Sequence, residues 1–128
     1  MTNKKNIEPT GAELEILSIL WDKQPLTVRE IHEKLSSKKD VGYTTTLKIM
    51  QNMTSKGLLD RELKGKSHLY TPVYEMEETR ENLLNRFLEN AFGGSASSLV
   101  MQLLGNSKTS EKELEEIKKV IDQIEKNK

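Results

Sequence analysis

A mainly α-helical fold carrying one small β-hairpin is predicted by three features of this 128-residue sequence. Thr or Ser followed three residues later by Glu recurs at Thr10/Glu13, Thr27/Glu30 and Ser110/Glu113, the signature of capping boxes that open helices. Apolar residues then return at helical spacing. Only after Gly57 does the period change, around a turn at Gly65. Aromatic residues are 5% of the chain, which argues against the core of a β-sandwich.

The first helix follows Thr10 and carries Leu14, Ile16, Leu17, Ile19, Leu20 and Trp21, with Glu13, Glu15, Ser18 and Asp22 on its wet side; Pro25 stops it. The second follows Thr27, with Val28, Ile31 and Leu35 as its buried stripe. SSKKD, residues 36–40, is a polar loop. A third helix spans residues 43–56, and Gly57 stands where a helix C-cap glycine belongs. LLDREL and HLYTPVY flank KGKS as two short strands. Three short helices followed by a hairpin is the order of a winged helix-turn-helix, in which the second and third helices form the DNA-reading unit and the hairpin is the wing.

Residues 75–92 form an amphipathic helix with Leu83, Leu84, Phe87, Leu88, Ala91 and Phe92 apolar, ended by Gly93-Gly94. SSLVMQLLG is a brief apolar helix containing Leu99, Val100, Leu103 and Leu104, and NSKTS is a loop. The last helix places Leu114, Ile117, Ile121 and Ile124 at spacings of three and four, a heptad-like seam with Val120 beside it. Three such helices are too thin to build a core alone, so they are expected to pack on a second copy. The expected organisation is therefore a DNA-binding domain over residues 1–74 and a helical dimerisation domain over residues 75–128. The dimerisation residues are Leu83, Phe87, Leu99, Val100, Leu103, Leu114, Ile117, Ile121 and Ile124.

Apolar residues at 34% and charged residues at 31% imply a modest core under a heavily solvated surface. The sequence has no cysteine, which excludes disulfides, thiolate nucleophiles and cysteine-based metal sites. No apolar run approaches the roughly 18 residues of a membrane helix and no signal peptide opens the chain, so no membrane insertion and a cytoplasmic location are expected. Net charge is zero, but residues 1–74 hold 12 Lys/Arg against 9 Asp/Glu, and residues 75–128 hold 8 against 11. Between 38 and 68 the count is 7 basic against 3 acidic. A locally basic region beside an acidic half suits contact of one part with a polyanion.

The third helix, YTTTLKIMQNMTS, concentrates the candidate chemistry. On a wheel of about 100° per residue, Tyr43, Thr46, Leu47, Ile49, Met50, Met53, Thr54 and the later Leu58 share one side. Thr44, Thr45, Lys48, Gln51, Asn52 and Ser55 share the other, which contains no acid. Glutamine or asparagine can pair with adenine in the major groove, a threonine methyl can meet thymine, and threonine or lysine can hold phosphate. Arg61, Lys64, Lys66 and His68 add positive charge at the hairpin. A solvated helix face and a basic surface turn are the plain alternatives; the order of the elements favours DNA.

Enzyme signatures are weak. His32-Glu33 begins an HExxH pattern, but position 36 is serine and the second ligand is missing. Gly65-Lys66-Ser67 lacks the upstream glycine of a phosphate-binding loop, because position 60 is Asp60. No catalytic residue, metal site or cofactor is expected. A non-DNA protein-interaction module and a ligand-responsive winged-helix regulator stay open as alternatives; the second needs an apolar pocket.

Several stretches taken together resemble the penicillinase repressor (BlaI/MecI/CopY) family. They are Thr10-Gly-Ala-Glu13 leading to Ile16, Leu20 and Trp21; Thr27-Val28-Arg29-Glu30-Ile31; Tyr43-Thr44-Thr45-Thr46-Leu47; Lys56-Gly57-Leu58-Leu59; Tyr70-Thr71-Pro72; and Gly93-Gly94 followed by Ser98-Leu99-Val100. The resemblance covers residues 8–125. It implies a homodimeric repressor on a pseudo-palindromic double-stranded operator, relieved in the antibiotic-responsive branch when an activating protease cuts the dimerisation domain. Three departures stand out. The cysteine cluster of the copper-responsive branch is absent, Gln102-Leu103 occupies the place of the cleaved Asn-Phe bond, and Asn52 replaces a family-like arginine late in the third helix.

Overall fold

The structure, a computed structural model, describes residues 8–106 and 108–128. Its elements in order are α1 (Gly11–Asp22), α2 (Val28–Ser36), α3 (Tyr43–Ser55), β1 (Leu59–Lys64), β2 (Ser67–Pro72), α4 (Met76–Phe92), α5 (Ala96–Gly105) and α6 (Glu111–Lys126). Residue 107, inside the expected NSKTS loop, lies outside the described residues. The fold is mainly helical with one antiparallel hairpin, as the periodicities predict.

The helix starts follow from the side chains that cap them. Thr10 accepts the Glu13 N–H while Glu13 accepts the Thr10 N–H, and Thr27 and Glu30 repeat the exchange. At α6 the forward half forms, Ser110 accepting the Glu113 N–H at 3.1 Å. The end of α3 is set by Gly57 at φ +85°, a left-handed conformation that favours glycine. There the Gly57 N–H donates to the Thr54 carbonyl and the Leu58 N–H to that of Met53, which turns the chain into β1.

One core serves α1, α2, α3 and the hairpin. Ile16, Leu17 and Leu20 of α1, Ile31 and Leu35 of α2, Met50 and Met53 of α3, and Leu26, Leu58, Leu59 and Tyr70 form a single buried cluster. Tyr70 carries the hairpin into it, and Leu26 and Tyr70 exchange backbone hydrogen bonds of 3.2 and 2.8 Å. Trp21 Nε1 donates to the Tyr74 carbonyl at 3.0 Å, fastening the end of α1 to the segment after the hairpin. Chain packing divides the molecule between Leu83 and Leu84, inside α4 and nine residues beyond the boundary read from the hairpin's end. The buried Thr79 fits this, since it places the first turns of α4 with the N-terminal unit.

The second unit is built differently. No described residue of α5 or α6 is buried. Phe87 and Phe92 meet edge to face with centroids 5.7 Å apart, yet Phe87, Leu103 and Ile124 each stay more than half exposed. An apolar groove of about 260 Å³ runs along α6 beside Ile117, Val120 and Ile121.

Glu13 joins two functions in the first unit. Besides capping α1 it accepts from Lys56 Nζ at 2.8 and 2.9 Å, and Lys56 is the C-cap of α3. Burial pushes its carboxyl pKa up, but the bonds from Lys56 and from the Thr10 amide outweigh this and hold it below the ordinary value. A depressed folded-state pKa contributes stability that is present above the unfolded-state pKa and is lost as pH falls through the folded one. Glu13→Gln is therefore expected to cost about 1–2 kcal/mol at neutral pH and to flatten the acid side of the stability profile. Urea unfolding of both proteins from about pH 3 to 7 checks it, and parallel profiles would contradict it.

Candidate nucleic-acid interface

α3 presents two unlike faces. Thr46, Met50 and Met53 have 0% exposure and anchor it in the core. The Thr46 hydroxyl lies 2.9 Å from His32 Nδ1 on α2 and donates to the Gly42 carbonyl at 3.4 Å. His32 is thus engaged between two helices. Among the described residues no group of three or more His, Cys, Asp or Glu could hold a metal ion.

Thr44, Thr45, Lys48, Gln51, Asn52 and Ser55 are all exposed, on one polar face of α3 that contains no carboxylate. Three hydroxyls, two carboxamides and one ammonium give donors and acceptors of the kind base edges match, plus one cation for a phosphate. Gly42 stands at the N-cap and gives no side-chain hydrogen bond, and the first turn holds no acid. Polar anions are therefore not repelled at this end of the helix.

Tyr43 departs from the wheel. Expected on the buried side, it is 42% exposed, because it begins α3 where the core ends. Its ring packs instead on α2, with the His32 ring edge-on at 5.5 Å and the Arg29 guanidinium 5.9 Å from its centroid. Sequence reading gave neither Arg29 nor Tyr43 a place at the interface. Arg29 looks like any charged residue on a helix surface, and only the crossing of α2 and α3 brings the two together.

The hairpin pairs Leu59 with Pro72, Arg61 with Tyr70, Leu63 with His68 and Lys64 with Ser67. Gly65, at φ +63°, and Lys66, not at positive φ, form its two-residue turn, a type II′ pattern that glycine permits. Residues paired across the strands share a face, so the basic side chains divide. Arg61 and the half-buried His68 lie on the face of Tyr70, Lys64 lies on the other, and Lys66 is in the turn. Arg61, Lys64 and Lys66 are exposed. The wing is therefore a basic tip rather than one basic face.

In the C-terminal helices, Leu83, Leu99, Leu114 and Ile117 are half-buried, whereas Phe87, Val100, Leu103, Ile121 and Ile124 are exposed. Gln102 and Leu103 are exposed too, within the helical turns of α5.

Comparison with known proteins agrees with this architecture. Residues 9–123 match the family model described as penicillinase repressor. The chain is similar to the penicillinase repressor of Staphylococcus aureus, 25% identical over 126 residues that cover 98% of this chain and 99% of that one. It is also similar to the methicillin resistance regulatory protein MecI of Staphylococcus aureus (strain N315), 24% identical with 93% and 97% covered. The transcriptional regulator BlaI of Mycobacterium tuberculosis is 33% identical over 73 residues, 56% of this chain and 53% of that one. Among solved structures, a MarR family protein from Bacillus stearothermophilus superposes with a TM-score of 0.55 at 17% identity, covering 95% of this chain and 76% of that one, a likeness of fold.

Proposed function

The chain belongs to the penicillinase repressor family, whose members are transcriptional repressors and not enzymes, and on that premise we propose that it represses transcription as a homodimer bound to a pseudo-palindromic operator in the bacterial cytoplasm. The observation that carries this reading is α3: a helix clamped by Thr46, Met50 and Met53, with an opposite face that is wholly exposed, polar and free of acid. In the proposed complex α3 enters the major groove. Gln51 and Asn52 meet base edges, Thr44, Thr45 and Ser55 meet bases or backbone, and Lys48 reaches a phosphate. Arg61, Lys64, Lys66 and His68 hold the flanking backbone.

One recognition helix reads few base pairs, so specificity requires two. Leu83, Phe87, Leu99, Val100, Leu103, Leu114, Ile117, Ile121 and Ile124 are apolar side chains that their own unit leaves exposed or half-covered, and a second copy supplies the missing surface. Pairing sets two copies of α3 about one DNA turn apart, ~34–36 Å, or a multiple of that. Joining two half-site contacts raises affinity through effective concentration, so loosening the pair weakens binding more than it harms either contact. Repression is then relieved by opening the dimer. A protease acting at Gln102-Leu103 would first have to unwind α5 locally.

Thr44→Ala with Lys48→Ala should leave the fold and the dimer intact and weaken operator binding at least about tenfold, by two lost contacts of roughly 1 kcal/mol each. Fluorescence anisotropy on a duplex selected from a random pool measures this; unchanged affinity would sink the assigned face. Leu114→Glu with Ile121→Lys should yield monomers in sedimentation and reduce full-operator affinity toward that of a half-site. A persisting dimer would remove α6 from the seam.

A further inference from the structure

We propose that the groove between α2, the first turn of α3 and the hairpin turn seats one phosphate of the DNA backbone, gripped by Arg29 and Lys66, with Tyr43 as the platform that orients the Arg29 guanidinium. The groove encloses about 360 Å³ and is lined in its polar part by Thr27, Arg29, Tyr43, Lys66, Ser67 and His68. None of its lining residues is acidic. Arg29 and Lys66 are exposed, and among the described residues no carboxylate pairs with either. Two unneutralised cations with hydroxyls and an imidazole around one hollow suit an anion.

The geometry favours phosphate on a duplex. The Arg29 guanidinium already rests 5.9 Å from the Tyr43 ring centroid, and the His32 ring contacts Tyr43 nearly perpendicular to it, with centroids 5.5 Å apart. A guanidinium held over a ring by cation–π attraction leaves its N–H donors free for phosphate oxygens, and it loses less freedom on binding than an unsupported side chain. Tyr43 immediately precedes Thr44, the first residue of the polar α3 face, so the groove adjoins the place where a duplex would lie. The seat rests on the proposed DNA-binding function. It extends that contact beyond the α3 face and the wing tip to Arg29 of α2, a helix of the expected DNA-reading unit for which the sequence named no contact residue.

A backbone contact has a measurable character: it is blind to sequence and it is electrostatic. With the full chain, anisotropy titrations on the selected duplex and on a random duplex across a salt series should show three things. Arg29→Gln weakens both duplexes by a similar factor, roughly three- to tenfold, and lowers the slope of log affinity against log salt by about one. Arg29→Lys, which keeps the charge but not the fork, retains the slope with intermediate affinity. Tyr43→Phe, which keeps the ring, behaves as wild type, whereas Tyr43→Ala, titrated well below its melting temperature, shifts toward Arg29→Gln in both affinity and salt slope. An unchanged slope in Arg29→Gln, or a loss confined to the selected duplex, would overturn the phosphate seat while leaving the α3 reading intact. A wild-type chain that bound neither duplex would overturn both.

Discussion

The exchange of two backbone hydrogen bonds between Leu26 and Tyr70 is the constraint on which the arrangement of the N-terminal unit depends. A two-stranded hairpin alone is marginally stable in water. Here β2 gains a partner in the α1–α2 connection, and Tyr70, 1% exposed, drives into the helical core from the same position. The Val73 N–H donates to the Leu58 carbonyl at 3.0 Å, so the base of the hairpin is also fixed where α3 gives way to β1. With its base held at these two points, the hairpin projects the Gly65-Lys66 turn in a set direction. A wing free to swing would have to be ordered each time DNA bound, at a cost in entropy.

Within that frame, α3 shows packing overriding local preference. Three consecutive threonines cost the helix on the order of 1–2 kcal/mol in propensity. Burying a methionine side chain returns about 1.5–3 kcal/mol, and α3 buries two, Met50 and Met53. The buried stripe therefore wins, and residues on the opposite stripe need not favour a helix at all. Thr46 belongs to the first group, with its hydroxyl bonded to His32, whereas Thr44 and Thr45 belong to the second. One triplet thus divides between structure and surface chemistry.

What was legible in the sequence was local. Capping boxes at Thr10 and Thr27, the glycine after α3, the change of period and the glycine turn each depend on residues within a few positions, and all appear. The split of α3 into buried and exposed faces followed from the wheel for the six exposed positions and for Thr46, Met50 and Met53. It failed at Tyr43, because a wheel gives the direction of a side chain but not where the core stops. Contacts across 43 and 53 residues, Lys56 with Glu13 and Trp21 with Tyr74, left no local trace. Neither did the division of the wing's cations between two faces, since that depends on register. Of the candidate interface, the α3 stripe was legible, whereas the Arg29–Tyr43 pair was not.

In the proposed complex α3 and the hairpin turn lie against duplex DNA, and amide hydrogen exchange of the full chain with and without a selected duplex reads this out residue by residue. Binding should slow exchange in α3 from Tyr43 to Ser55 and at Gly65-Lys66, and leave α1 unchanged. Protection confined to α1 or to α6, with α3 unaffected at saturating DNA, would contradict it.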